Sequence, residues 1–251
     1  MRTAFSCECK KTGTRLLTVL APVLILILAW SFWIMRDPDE QLRAQGYTWL
    51  LNSVLLLNTL FLPVSIAVMA SRLIDMETRG SAWKLLFTLQ KKFPLLFGKL
   101  LLSALHLLAF FLLETAGLWA AGRAVGFTEP FPVRDYVQLQ GMALLTSLVL
   151  LLLQMLLSLR LENQLYPLFI SVLGSFIGLF SMFFPIGSAV FYLVPWSYFT
   201  FGCPVQMQWD EVTKLYSFPR IPFHSAGLAA ALIALALLFA AVNRCISRKE
   251  V

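Results

Sequence analysis

The sequence predicts an all-α, polytopic membrane protein with six transmembrane helices. Three observations lead there. Of 251 residues, 59% are hydrophobic and 13% charged, where a soluble domain is roughly half apolar and a quarter charged. Mean hydropathy is +0.78. The apolar residues gather into runs of the ~20 residues a helix needs to cross a bilayer. The basic residues gather between alternate runs, as they do in chains that thread a membrane. A disordered chain, a coiled coil and an ordinary soluble enzyme are excluded by this composition. The length suits one membrane domain over 1–251, with no room for a second globular one.

The first run covers 16–35 and closes on Trp30-Ser31-Phe32-Trp33-Ile34-Met35. The aromatic pair suits a headgroup belt, and no small-residue cleavage site follows, so a cleavable signal peptide is not expected. The second run is 47–71, the third 94–122 and the fourth 136–159. Pro94 suits the first turn of its helix. The fifth starts at 165 and stays apolar to about Trp196, too long for one upright helix. It carries Gly174, Gly178, Pro185, Gly187 and Pro195. A helix to 184 is expected, then an extracellular, broken, re-entrant segment within 185–222. A single long, kinked helix is the alternative. The sixth run is 223–243.

Charge sets the orientation. With the N-terminus inside, the tails, the 72–99 region and the 160–164 turn hold 14 Lys/Arg, and the opposite segments hold 6. Net charge is then +9 inside and −1 outside. The positive-inside bias predicts a multi-pass membrane protein with both termini in the cytoplasm. The basic excess therefore reads as topology, with anionic membrane lipid as a contact and nucleic acid not expected as a partner.

Catalytic signatures are missing. Gly98-Lys99 is followed by Leu100, so no phosphate-binding loop exists, and there is no H-E-x-x-H or G-x-S-x-G. No catalytic residue, metal or cofactor is expected of this chain. Cys7-x-Cys9 has no His or second Cys pair nearby, and the four cysteines form no disulfide framework. Glu114 is an acid inside the third run, and His106 lies loosely on its helix face. An intramembrane acid raises a functional hypothesis, against the plainer reading that it bonds to a neighbouring helix. Asn52, Asn58 and Gln154 read as hydrogen-bonding glue between helices.

The cytoplasmic loop, 72–93, is the most informative stretch. Trp83, Leu85, Leu86, Phe87 and Leu89 interleave with Lys84 and Thr88, then Lys91 and Lys92 follow. A short interfacial helix from Ser81 to Lys91 is expected, its apolar face on the membrane or on a partner. Simple anchoring by Trp and Lys is the plain alternative.

Glu77, then Trp83-Lys84-Leu85-Leu86-Phe87-Thr88-Leu89, closing at Gly98-Lys99, resembles the first cytoplasmic loop of ABC-2-type transporter permeases. The layout of six spans is similar too, in a type V exporter-like permease fold. Within that group the chain is most similar to permeases of lantibiotic-protection (immunity) transporters. The family pattern has Pro straight after the Thr-Leu pair; here Gln90 stands there and Pro94 comes later.

The resemblance implies a non-catalytic permease subunit. It would pair with a second permease, alike or related, and with a separate ATP-binding cassette subunit that binds and hydrolyses ATP. Residues 72–93 would couple to that ATPase through Glu77, Trp83, Lys84, Lys91 and Lys92. The cargo would be an amphipathic peptide expelled from the membrane. A general ABC-2 exporter of drugs or lipids is the near alternative. A small membrane enzyme using Glu114 and His106, or a membrane scaffold, are the distant ones.

Overall fold

The computed structural model describes residues 16–37, 39–78, 92–161, 163–184, 188–211 and 216–248. Cys7, Cys9, Trp83, Lys84 and Lys91 lie outside the described residues, and of Glu77 and Lys92 only the backbone is described.

Helix α1 (Leu17–Ile34) buries Leu20, Val23, Ile27 and Ser31. These recur every three or four residues, so they form one stripe. The stripe packs on α2 (Glu40–Thr78) and α3 (Lys92–Val125). Trp30 and Trp33 remain exposed on the opposite side, their rings 5.4 Å apart.

The centre of the bundle is α2. Asp39 Oδ1 accepts from the Leu42 amide at 2.7 Å, satisfying one donor that a helix start leaves unpaired. Asp39 thus serves as a cap. The helix bends at Gln45, whose φ of −136° and ψ of 25° are not helical. Its 39 residues span about 58 Å, against about 30 Å for a bilayer's hydrocarbon core.

α3 ends through Gly126 at φ 87°. The Phe127 amide donates to Gly122 O and the Gly126 amide to Arg123 O, the pattern that satisfies a helix's last carbonyls and needs a left-handed residue. α4 (Val133–Arg160) buries residues on every side, including Leu150, Leu151 and Leu152. A helix apolar all round belongs in the interior. It is enclosed by α2, by α7 (Ser225–Arg248) and by a 3-10 helix (Pro195–Gly202).

α5 (Leu165–Ser181) turns small residues inward: Ser171, Gly174, Ser175, Gly178 and Ser181 are buried. Phe169, Leu173, Phe176 and Phe180 face outward. Small residues let helix backbones approach closely in a membrane, where large apolar groups gain nothing by leaving lipid. Ser171 Oγ donates to Pro63 O of α2 at 2.7 Å. α5 ends three residues before 184. Met182 N turns back to Leu179 O, and Pro185, which lacks a donor and restricts the residue before it, follows.

Beyond α5 come a five-residue helix, α6 (Ala189–Leu193), and the 3-10 helix. Residues Trp196 to Gly202 are buried. The hydroxyls of Ser197, Tyr198 and Thr200 each donate to a carbonyl of the same segment, which keeps this polar stretch satisfied. Strands β1 (Gln208–Trp209) and β2 (Tyr216–Ser217) pair antiparallel, Gln208 opposite Ser217 and Trp209 opposite Tyr216.

Among the described residues, five helical stretches are long and apolar enough to cross a membrane: 17–34, 40–75, 93–125, 133–160 and 225–248. The apolar α5, at 17 residues, is shorter. Two connecting segments fasten to helix ends at one end of the bundle. Gln41 Nε2 donates to Tyr216 O at 2.6 Å, Thr128 N donates to Arg43 O at 2.9 Å, and Arg220 pairs with Asp135 at 3.4 Å. At the other end Arg72 donates to Thr18 Oγ1 and Lys99 Nζ to Leu73 O.

Candidate functional site in the helical bundle

Glu114 is fully buried on α3. It faces Asn58 of α2 and Gln140 of α4, both almost fully buried. Asn58 Nδ2 donates to Glu114 Oε2 at 3.2 Å, and Gln140 Nε2 donates to the same oxygen at 2.8 Å. One carboxyl oxygen therefore ties three helices together. Glu114 Oε1, Asn58 Oδ1 and Gln140 Oε1 have no hydrogen-bond partner among the described residues. The unpartnered atoms of the cluster are all oxygens, and each amide nitrogen keeps a second N–H beyond the one it gives Glu114. Such a group holds helices in register and offers oxygens to a donor; it has no nucleophile or paired base for catalysis.

His106 does not join this cluster. Its Nδ1 donates to Leu102 O of its own helix at 2.8 Å. Eight residues separate it from Glu114, about 12 Å along the axis. The pairing that a membrane enzyme would need is not formed. Asn52 and Gln154 differ from Asn58. Asn52 Oδ1 takes only a 4.0 Å contact from Cys203 Sγ, and neither end of the buried Gln154 amide has a partner among the described residues. Gln140 was missed in sequence because it stands one turn inside the fourth apolar run, where a polar residue looks like the membrane border. A partner 26 residues away leaves no local signal.

Beside the cluster, α3 and α4 leave a groove of about 470 Å³, lined by Leu112, Thr115, Trp119, Val137, Gln140 and Gly141 among others. Its wall is apolar except near Gln140. A β-carbon on Gly141 would meet nothing within 4 Å, so the groove is open there.

Two acids at this end of the bundle, Glu129 and Asp135, are engaged. Glu129 accepts from both the backbone amide (3.1 Å) and the hydroxyl of Thr48. Asp135 accepts from Arg220 at 3.4 Å. Their first task is to fasten loops to the bundle.

No group of three or more His, Cys, Asp or Glu side chains forms a metal site among the described residues.

The sequence profile described as "ABC-2 family transporter protein" matches residues 4–178, more than half of the chain. The chain belongs to this ABC-2 transporter family. It is a multi-pass transmembrane permease of an ABC transporter, a transport subunit of the kind that associates with an ATP-binding cassette subunit. The match runs from before α1 to Gly178 in the packed face of α5; the 3-10 helix, the hairpin and α7 lie beyond it. No curated protein gives a significant match over this sequence.

Proposed function

We propose that this ABC-2 permease is the membrane half of an ATP-driven exporter that clears an amphipathic antimicrobial peptide of the lantibiotic kind from the producer's membrane. The observation that carries this reading is the loop Glu77 to Lys99, with its Trp83-Lys84-Leu85-Leu86-Phe87-Thr88-Leu89 core, which resembles lantibiotic-protection permeases. ATP is bound and hydrolysed by the cassette subunit, since the chain carries no phosphate-binding loop of its own. A second permease, alike or related, completes the pathway. Glu77, Trp83, Lys84, Lys91 and Lys92 receive the ATPase. Both termini lie in the cytoplasm of a bacterial cell, which the 14-to-6 division of basic residues supports.

Extraction is physically reasonable. Lifting an amphipathic peptide from a leaflet opposes the burial of its apolar face, about 25 cal/mol per Å². Several hundred Å² therefore call for coupled free energy, which a cassette ATPase supplies.

A sensitive strain expressing the chain, its cassette subunit and any second permease should survive a lantibiotic and release bound peptide into the medium. A Walker-lysine variant of the cassette should abolish this. Survival without any cassette subunit would sink the permease mechanism. Resistance to drugs or altered lipid export, with no peptide release, would favour the general exporter instead.

A further inference from the structure

The structure assigns a second binding site, for the phosphate of an anionic phospholipid, where α4 and α7 end together. A cavity of about 510 Å³ is lined there by Leu159, Arg160, Ala241, Arg244, Cys245 and Arg248. Three of these six side chains are guanidinium groups. Among the described residues no carboxylate pairs with any of them.

Placing cations at helix C-termini is ordinarily favourable, because the last carbonyls carry partial negative charge. That accounts for one arginine on each helix. It does not account for a pair one turn apart on α7, Arg244 and Arg248, with Arg160 across the same cavity. Like charges four residues apart repel. An anion between the three arginines removes that repulsion, and a guanidinium fork matches a phosphate's paired oxygens.

The occupant is a lipid because of what continues from the cavity. Ile233, Leu237, Ala241, Cys245 and Arg248 follow at spacings of four, four, four and three, so they share one face of α7. Ile233 is 60% and Leu237 66% exposed. A ligand with its phosphate among the arginines therefore has an apolar track, two to four turns long, running toward the middle of the membrane. An acyl chain fits that track. Free phosphate uses only the basic end of it, and a zwitterionic lipid brings its own ammonium against the arginines.

This site is independent of the peptide cargo and of the Glu114 cluster. Its test is lipid retention by the purified full chain, read by native mass spectrometry from detergent with equimolar phosphatidylglycerol and phosphatidylcholine. A preference for phosphatidylglycerol is expected, falling roughly fivefold for each arginine removed, the size of one basic residue's attraction to an anionic surface. Arg244→Gln with Arg248→Gln should cut the preference roughly 25-fold, leaving only what Arg160 supports. Arg36→Gln with Arg43→Gln, at the other end of the bundle, should leave the preference intact. Inorganic phosphate at millimolar levels is the third arm. If it displaces the bound lipid wholly, the pocket is a free-anion site and the lipid assignment fails. Equal retention of both lipids by the wild type, or a preference untouched by the α7 variants, overturns it as well. The wild-type comparison stands even where a variant proves unstable.

Discussion

Trp196 fills the space that a side chain on Gly174 would need: a β-carbon there would lie 2.1 Å from Cε2 of the indole. One turn on, a β-carbon on Gly178 would lie 2.8 Å from the Trp196 carbonyl oxygen. The indole Nε1 has no hydrogen-bond partner among the described residues, so shape rather than hydrogen bonding seats the ring. Gly174→Ala should therefore lower the melting temperature of the purified protein, at a cost of about 1–3 kcal/mol for overpacking. Trp196→Leu in the same chain should recover part of the loss. Two losses that simply add would show that the pair does not interact.

Glu114 separates charge from hydrogen bonding. Glu114→Gln keeps an acceptor for Asn58 and Gln140, whereas Glu114→Leu strands two buried amide donors. The leucine variant should lose about 1–3 kcal/mol of stability. The glutamine variant should lose no more than the ~0.6 kcal/mol typical of a bond between membrane helices. Thermal unfolding in detergent ranks them. A glutamine variant as damaged as the leucine one would move Glu114 from helix bracing to a role that needs its charge.

Cys203 should resist thiol reagents. Burial pushes its thiol up to about 11, and the reactive species is the thiolate. Its pKa is raised, so the group stays protonated and slow from pH 7 through pH 9. An exposed cysteine, with a pKa of about 8.5, speeds up across that range. Maleimide uptake at Cys203 in a chain lacking the other three cysteines should stay near background until detergent or heat unfolds it. This silence makes the chain a clean background for topology. Cysteines placed at Asp39 and Asp210 should then react from outside the cell, and one at Lys249 should not. Labelling at 249 from outside would reverse the proposed orientation.

Trp83→Ala tests the loop. If the indole is an anchor for the ATPase, recovery of the cassette subunit in a pull-down should weaken by ~2 kcal/mol, the size of an interface hot spot. Membrane abundance should hold. Equal recovery and unchanged export would reduce Trp83 to a headgroup anchor.

The helices were legible because each depends on a local quantity, the length of an apolar run. The first run, 16–35, becomes Leu17–Ile34, and the fourth, 136–159, becomes Val133–Arg160. Partners were not legible. Asn58 and Gln154 look alike in sequence, each an amide inside an apolar run, yet Asn58 finds Glu114 and Gln154 finds nothing among the described residues. Which face of a helix meets which neighbour is decided by packing across dozens of residues. The small residues of α5 show the same limit. Gly174 and Gly178 lie inside the helix expected to run to 184, with nothing in sequence to say what they face, and the structure uses them as the seat of a tryptophan from the next segment.

The length of α2 has a mechanical consequence. From Gly46, past its bend, to Thr78 it runs about 50 Å, so it projects beyond any slab of lipid it crosses. Two breaks interrupt α2, the bend at Gln45 and Pro63, which donates no backbone hydrogen bond. Near one tip, Gln41 holds the hairpin through Tyr216; midway, the Pro63 carbonyl is clasped by Ser171; the other tip leads into the loop of Trp83. A shift of the Thr78 end would therefore be passed to α5 at the Pro63 carbonyl before it met the bend at Gln45.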